Sequence, residues 1–342
     1  MNDADESANP SPQSSKLWHR LLAAFALALG LAFSTYLLMS LSKAGNAGLA
    51  SIWFLAVLPA FLSALICYIG DPRRTQGSAF YWSVPVALVA LVDLGSAFLF
   101  HEGMVCLLML SPIWLIGGWI GAFVLRSQRK RRFDPNIFRS TLLVLPLVFG
   151  GIESQMPFAP EEITLTRRVV VHASPAEIWP YAVSNAHIDE TEGLWTFSQN
   201  IVGLPRPRAT VMHGAGVGAV RTAYWGDRIS FNEDISQWQP GKRLAWSFSF
   251  PNDSLQAYSD KHISPDGPFL KIDTGDYSLQ PLGPDTTLLI LRTRYIARTH
   301  VKAYAAVWGQ ILLGDIENNI LAIVKHRAES AHARDFAIPA RY

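Results

Sequence analysis

Glu233 is the residue whose type and setting most invite chemistry, because counting across two turns surrounds this carboxylate with apolar side chains. If Gly226-Asp227 closes a two-residue hairpin, Trp225 faces Arg228, Thr222 faces Phe231 and Val220 faces Glu233. If Gln239-Pro240-Gly241-Lys242 is a four-residue turn, Phe248 faces Glu233, Trp246 faces Ile235 and Phe250 faces Phe231. One face then carries Val220, Thr222, Phe231, Ile235, Trp246, Phe248 and Phe250, while Arg221, Asn232, Asp234, Ser247 and Ser249 point the other way. A carboxylate in such company either pairs with a cation or has a raised pKa. Two readings stay open: a polar contact for a bound molecule, or a structural role, either as an ion pair with Arg292, Arg294 or His172 or through a bulge turning Glu233 outward. Phe231, Trp246, Phe248, Tyr295 and Trp308 could line or stack on a ligand, although aromatic residues at these spacings also serve plain packing.

Other chemistries lack their residues. The nine histidines are scattered, with no HExxH run, and no GxSxG elbow occurs, so neither a metal site nor a hydrolase triad is expected. Gly214-Ala-Gly216-Val-Gly218 imitates a phosphate loop but leads into a strand, so no dinucleotide cofactor is expected. Glu190 and Glu192 could act as an acid and base pair, or simply be solvated. Cys67 and Cys106 both fall in apolar stretches and read as packing residues. A net charge of +2 gives no field to draw nucleic acid.

The elements that position these residues come in two halves. With 50% apolar residues and a mean hydropathy of +0.18, part of the chain must sit in lipid. A polar tail over residues 1–16 precedes apolar spans at about 17–41, 49–69, 79–100 and 104–125, each near the roughly 20 residues a bilayer requires. Lys16, Arg20, Arg73, Arg74 and the run Arg126 to Arg132, with Arg139, fall on alternate connections, which places the N-terminus in the cytoplasm of a cell (inner) membrane protein. A fifth segment, 140–158, spans only by continuing through Glu153 and Gln155; if it crosses, the remainder of the chain lies outside the cytoplasm. Asp93 is a carboxylate deep in the third span, open to an ion or proton role or to a bond with a neighbouring helix.

After Pro160 the pattern turns to short strands. Ile163–Val171 reads as a strand, Ser174-Pro175-Ala176-Glu177 as a capping box opening a helix, and His187–Leu194 as a second helix. Gly218–Trp225, Arg228–Trp238, Arg243–Phe250, Leu270–Leu282 and Thr286–Ala297 read as antiparallel strands. A long helix from Val301 to about His332 presents Ala305, Trp308, Leu312, Ile316, Ile320 and Ile323 on one face, with a tail over 333–342.

The passage RRVVVHASPAEIWPYA, with GAGVGAVRTAYW, ISFNEDISQWQPGKRLAWSFSF and the closing amphipathic helix, resembles the polyketide cyclase and START-like (SRPBCC, helix-grip) superfamily over residues 160–332. The resemblance implies an α+β helix-grip domain, a curved antiparallel sheet around a C-terminal helix, joined to the α-helical transmembrane bundle. It further implies a cavity for apolar or amphipathic ligands. The function expected on this basis is membrane-anchored binding of a lipid or other hydrophobic small molecule, with the bilayer as partner. A cyclase or dehydratase-type enzyme using the same cavity, and a membrane sensor or transporter-associated protein, are the alternatives, so enzymatic activity stays open.

Overall fold

The computed structural model describes residues 12–41, 51–130, 148–153, 155–156, 159–252, 254–255, 265–267 and 270–337. The chain divides into two compact units, one of Met1–Glu102 with Cys106–Pro157, the other of Phe158–Tyr342 with Gly103–Val105.

In the first unit, helices α1 (Pro12–Leu41), α2 (Leu58–Gly70, entered through a π-helical turn Trp53–Val57), α3 (Ser78–Leu99) and α4 (Met104–Lys130) follow one another. Four stretches, Leu17–Ser40, Trp53–Gly70, Ser78–Leu99 and Met104–Gln128, are long and apolar enough to cross a membrane. The polar tail was expected to reach residue 16, but α1 already begins at Pro12, since proline is tolerated in a first helical turn. Arg131, Arg132 and Arg139 lie outside the described residues, as do 140–147 of the fifth segment; its residues 148–153 are helical. Small residues let the helices approach closely: a Cβ on Gly121 of α4 would stand 1.9 Å from the Ala60 carbonyl oxygen of α2. Buried Asp71 organises the α2–α3 turn, accepting from Thr75 N (2.8 Å) and Tyr81 Oη (2.8 Å).

The second unit is built from β1 (Glu161–Val171), α5 (Pro175–Val183), a short α6 (Phe197–Asn200), β2 (Pro207–His213), β3 (Val220–Trp225), β4 (Ile229–Gln239), β5 (Arg243–Ser249), β6 (Leu270–Gly283), β7 (Thr286–Ala297) and α7 (Lys302–Ala337). The sheet has seven strands in the order β1-β7-β6-β5-β4-β3-β2, every neighbouring pair antiparallel. α5 opens on the capping box: Ser174 N and Oγ donate to Glu177 Oε2 at 2.7 and 2.6 Å. α7 packs across β1 and against α5, and Leu321, Val324 and Ala328 join Val171, Ile178, Leu244, Trp246, Tyr277, Leu289 and Leu291 in one core.

One expected element is absent, and one strand appears that was not expected. The stretch His187–Leu194 is not helical; Arg327 of α7 holds it open by donating to the His187 carbonyl and, at 2.7 Å twice, to Glu192. Strand β2 occupies residues between Pro205 and the glycine loop, where flanking prolines and glycines hide a short alternation. In that loop Gly214, Gly216 and Gly218 take φ of 89°, 85° and 87°, a conformation that favours glycine.

The register also corrects the sequence reading. Trp225 pairs with Ile229, so the β3–β4 turn is the three-residue Gly226-Asp227-Arg228, and Arg221, not Val220, faces Glu233. Because strand faces alternate, this one-residue difference carries Arg221 and Ala223 to the core side and Val220 and Thr222 to the other. At the β4–β5 turn Gln239 pairs with Arg243, here one residue tighter than expected, but a bulge between Ile235 and Gln237 restores the count. Glu233 therefore does pair with Phe248, and Ile235 with Trp246.

Candidate functional site

Following register from β7 through β6, β5 and β4 to β3 traces one face of the sheet: Leu291 and Thr293, then Gly275 and Tyr277, then Trp246 and Phe248, then Glu233 and Phe231, then Arg221 and Ala223. Glu233 and Arg221 meet there as a salt bridge, Arg221 Nε donating to Glu233 Oε2, with side chains only 8% and 4% exposed. Arg221 Nη1 also donates to the Ala182 carbonyl at the end of α5 (2.6 Å), and the guanidinium lies 4.4 Å from the Trp246 ring and 5.7 Å from that of Tyr277. Burial pushes the Glu233 carboxyl up, while the Arg221 guanidinium beside it pulls the other way. The cations expected for Glu233 are engaged elsewhere or exposed: Arg292 bonds Asp276 (2.8 Å) on the opposite face, and Arg294 and His172 are exposed.

Beside this pair runs a row of rings. Phe231 lies 5.9 Å from Trp225, 6.0 Å from Phe248 and 5.8 Å from Phe250, and Phe248 is 6.0 Å from Trp246. Trp225, Phe248 and Phe250 are only half-buried, although they flank buried Ala223, Ile229 and Phe231. The structure thus brings Glu233, Phe231, Trp246 and Phe248 together. Tyr295 and Trp308 stand apart: Tyr295, on β7 three strands from Glu233, presses its hydroxyl on Gly309 of α7, and Trp308 packs 6.3 Å from Tyr304.

Three residues that the sequence reading did not select belong to this face. Arg221 was hidden by the register, and no turn in the sequence set the register of the strand that carries Tyr277. Glu317 of α7 is 3% exposed, and neither carboxylate oxygen makes a hydrogen bond of normal geometry among the described residues. Burial pushes its carboxyl up to about 7, against the opposing influence of Thr293 and the Arg167 guanidinium. The spacing Gly314, Glu317, Leu321, Val324, Ala328 was its signal: these buried residues recur at three and four, one position beyond the expected Ile316 and Ile320, which are half-buried. Buried carboxylates of this kind can exchange protons near neutrality.

The remaining candidates resolve into structure. Glu190 pairs with Arg208 at 2.5 Å on the surface, and Glu192 with Arg327. No group of three or more metal-ligating side chains occurs among the described residues. In the first unit Asp93 Oδ2 lies 2.7 Å from Ser111 Oγ of α4, the inter-helix bond that was one of its two expected readings.

Seven antiparallel strands with a long C-terminal helix laid across one face define the second unit as having helix-grip architecture. No family model matches the chain, and no curated protein matches it. Among solved structures, the chain is similar to a norcoclaurine synthase point mutant from Thalictrum flavum, at 13% identity over 51% of this chain and 98% of that one, TM-score 0.32. It is also similar to the Zhui aromatase/cyclase from Streptomyces sp. R1128, at 13% identity over 51% and 96% of the two chains, TM-score 0.32. A protein of unknown function, SA2116 from Staphylococcus aureus, is similar at 8% identity over 51% and 98%, TM-score 0.34.

Proposed function

We propose that the chain is a membrane-anchored binding protein that holds a lipid or another hydrophobic small molecule on the helix-facing side of its sheet. The observation that carries this reading is the row Trp225, Phe248 and Phe250 around Phe231: aromatic surface left half-open on the face where a core would close it. Covering apolar surface is favourable by roughly 25 cal/mol per Å², so an apolar molecule seated there is stabilised without any catalytic group. The four apolar helices serve as the anchor in a cell (inner) membrane, with the N-terminus and the basic connections in the cytoplasm, and let an apolar ligand reach its site from the bilayer with little passage through water. The test is native mass spectrometry of the full chain released from detergent. A co-purified hydrophobic molecule that the Phe248→Ser/Phe250→Ser variant loses while remaining folded is the expected result. A wild-type chain that carries nothing and binds no added fluorescent fatty acid rejects the reading.

Glu317 favours a second reading, a cyclase or dehydratase-type enzyme on the same face, because an acid held near 7 can give and take a proton at neutral pH. That reading requires turnover that Glu317→Gln abolishes while binding persists. The Asp93–Ser111 bond leaves a sensor or transport role as a third, and it requires flux that Asp93→Asn removes.

A further inference from the structure

The carboxylate of Glu153 is buried and bidentate: Oε1 accepts from Ile52 N at 2.7 Å and Oε2 from Trp53 N at 2.7 Å. Both donors belong to the first turn of the π-helical entry to α2, where the N–H groups have no partner within the helix and the helix dipole favours a negative charge. A second contact agrees. Gly150 lies so close to Trp53 that a Cβ there would stand 2.9 Å from the indole Cδ1. Residues 150–153 are thus fastened to the beginning of the second apolar helix.

That end of the bundle is far from the end of α4. Trp114 of α4 packs edge-on against Phe54 at 5.6 Å, which puts Trp114 level with the start of α2. α4 continues to Lys130, 130 − 114 = 16 residues further, or about 24 Å at 1.5 Å per residue. Along the way Arg126 lies 5.4 Å over the ring of Tyr81, the residue that bonds Asp71 at the α2–α3 turn. The turn carrying Arg73 and Arg74 and the C-terminal end of α4 therefore share one end of the bundle, and Trp53 and Glu153 share the other. From Trp53 to Gly70 the second apolar helix covers 70 − 53 = 17 residues, about 26 Å at 1.5 Å per residue, which approaches the ~30 Å thickness of a hydrocarbon core.

We infer that Lys130 and Glu153 stand at opposite faces of the membrane, so that the chain goes on to its first strand, at Glu161, from the face opposite the basic connections. Basic connections are retained in the cytoplasm, which puts Glu161 and the strand it opens outside it. From Glu153 to the first strand at Glu161 there are too few residues to cross back. The ligand of the proposed binding function, on which this inference builds, is then taken from the outer leaflet or the space beyond it, and not from the cytoplasm.

Cysteine accessibility in whole cells tests this with the full chain. Cys67 and Cys106 are replaced by serine, and single cysteines are introduced by Val217→Cys, in the exposed glycine loop, and by Arg73→Cys, in the exposed basic turn. With a membrane-impermeant maleimide, Val217→Cys is expected to be labelled in intact spheroplasts and Arg73→Cys only after lysis. Equal behaviour of the two positions, both labelled before lysis or both only after it, overturns the inference. Ligand binding by the purified protein is the same on either side, so this result and that of the mass spectrometry fail independently.

Discussion

Removing either member of the Arg221–Glu233 pair strands the other charge where water does not reach. Breaking a buried pair this way costs about 3–5 kcal/mol, so Arg221→Met and Glu233→Leu should each lower the thermal midpoint by many degrees, while the double variant recovers most of the loss. Thermal melts of the three variants, followed by the second unit's tryptophan fluorescence, provide the check. Glu317 makes a pH-dependent contribution of definite sign. Its carboxyl is raised from 4.5 to about 7 in the folded chain, so the unfolded state loses its proton first. The stability it supports is complete below about pH 4.5 and is lost as pH rises toward 7, an effect of up to about 3 kcal/mol at 1.36 kcal/mol per unit. In Glu317→Gln denaturant midpoints measured at pH 5 and pH 8 should lie closer together than in the wild-type chain. Of these residues only Glu233 was legible in the sequence. Arg221 was missed because Gly226-Asp227 satisfies the two-residue hairpin signal, and nothing local shows that Arg228 joins the turn. Glu317 was missed because a charged residue is read as marking the wet side of a helix.

At the scale of elements, hydropathy made the apolar helices plain, and the strands from β3 to β7 were placed within a residue or two of their bounds. What failed was the irregular chain around His187–Leu194, whose path depends on Arg327 more than one hundred residues away. Such long-range side-chain to backbone bonds leave no periodic trace. Two contacts of α7 are open to test. A Cβ on Gly309 would stand 2.0 Å from the Tyr295 hydroxyl, so Gly309→Ala should destabilise by about 1–3 kcal/mol. Adding Tyr295→Phe should restore much of that loss, as measured by a double-mutant cycle. Ser174→Ala removes the hydroxyl of the α5 capping box and should cost about 1 kcal/mol in urea unfolding.

For the whole molecule, the order of the sheet has a consequence in time. β1 ends at Val171, and its partner in β7, Thr287, is made 287 − 171 = 116 residues later. At about 5–20 residues per second, β1 waits roughly 6–23 s of synthesis with its bonding edge bare. The strand is written for that wait: Glu161, Glu162, Arg167 and Arg168 place charge at its start and near its middle, and Glu162 and Arg168 stay exposed in the finished sheet. Replacing both exposed charges by valine should leave the melting midpoint nearly unchanged, yet lower the folded yield from cells, a difference between how the chain arrives at its structure and how firmly it stays there.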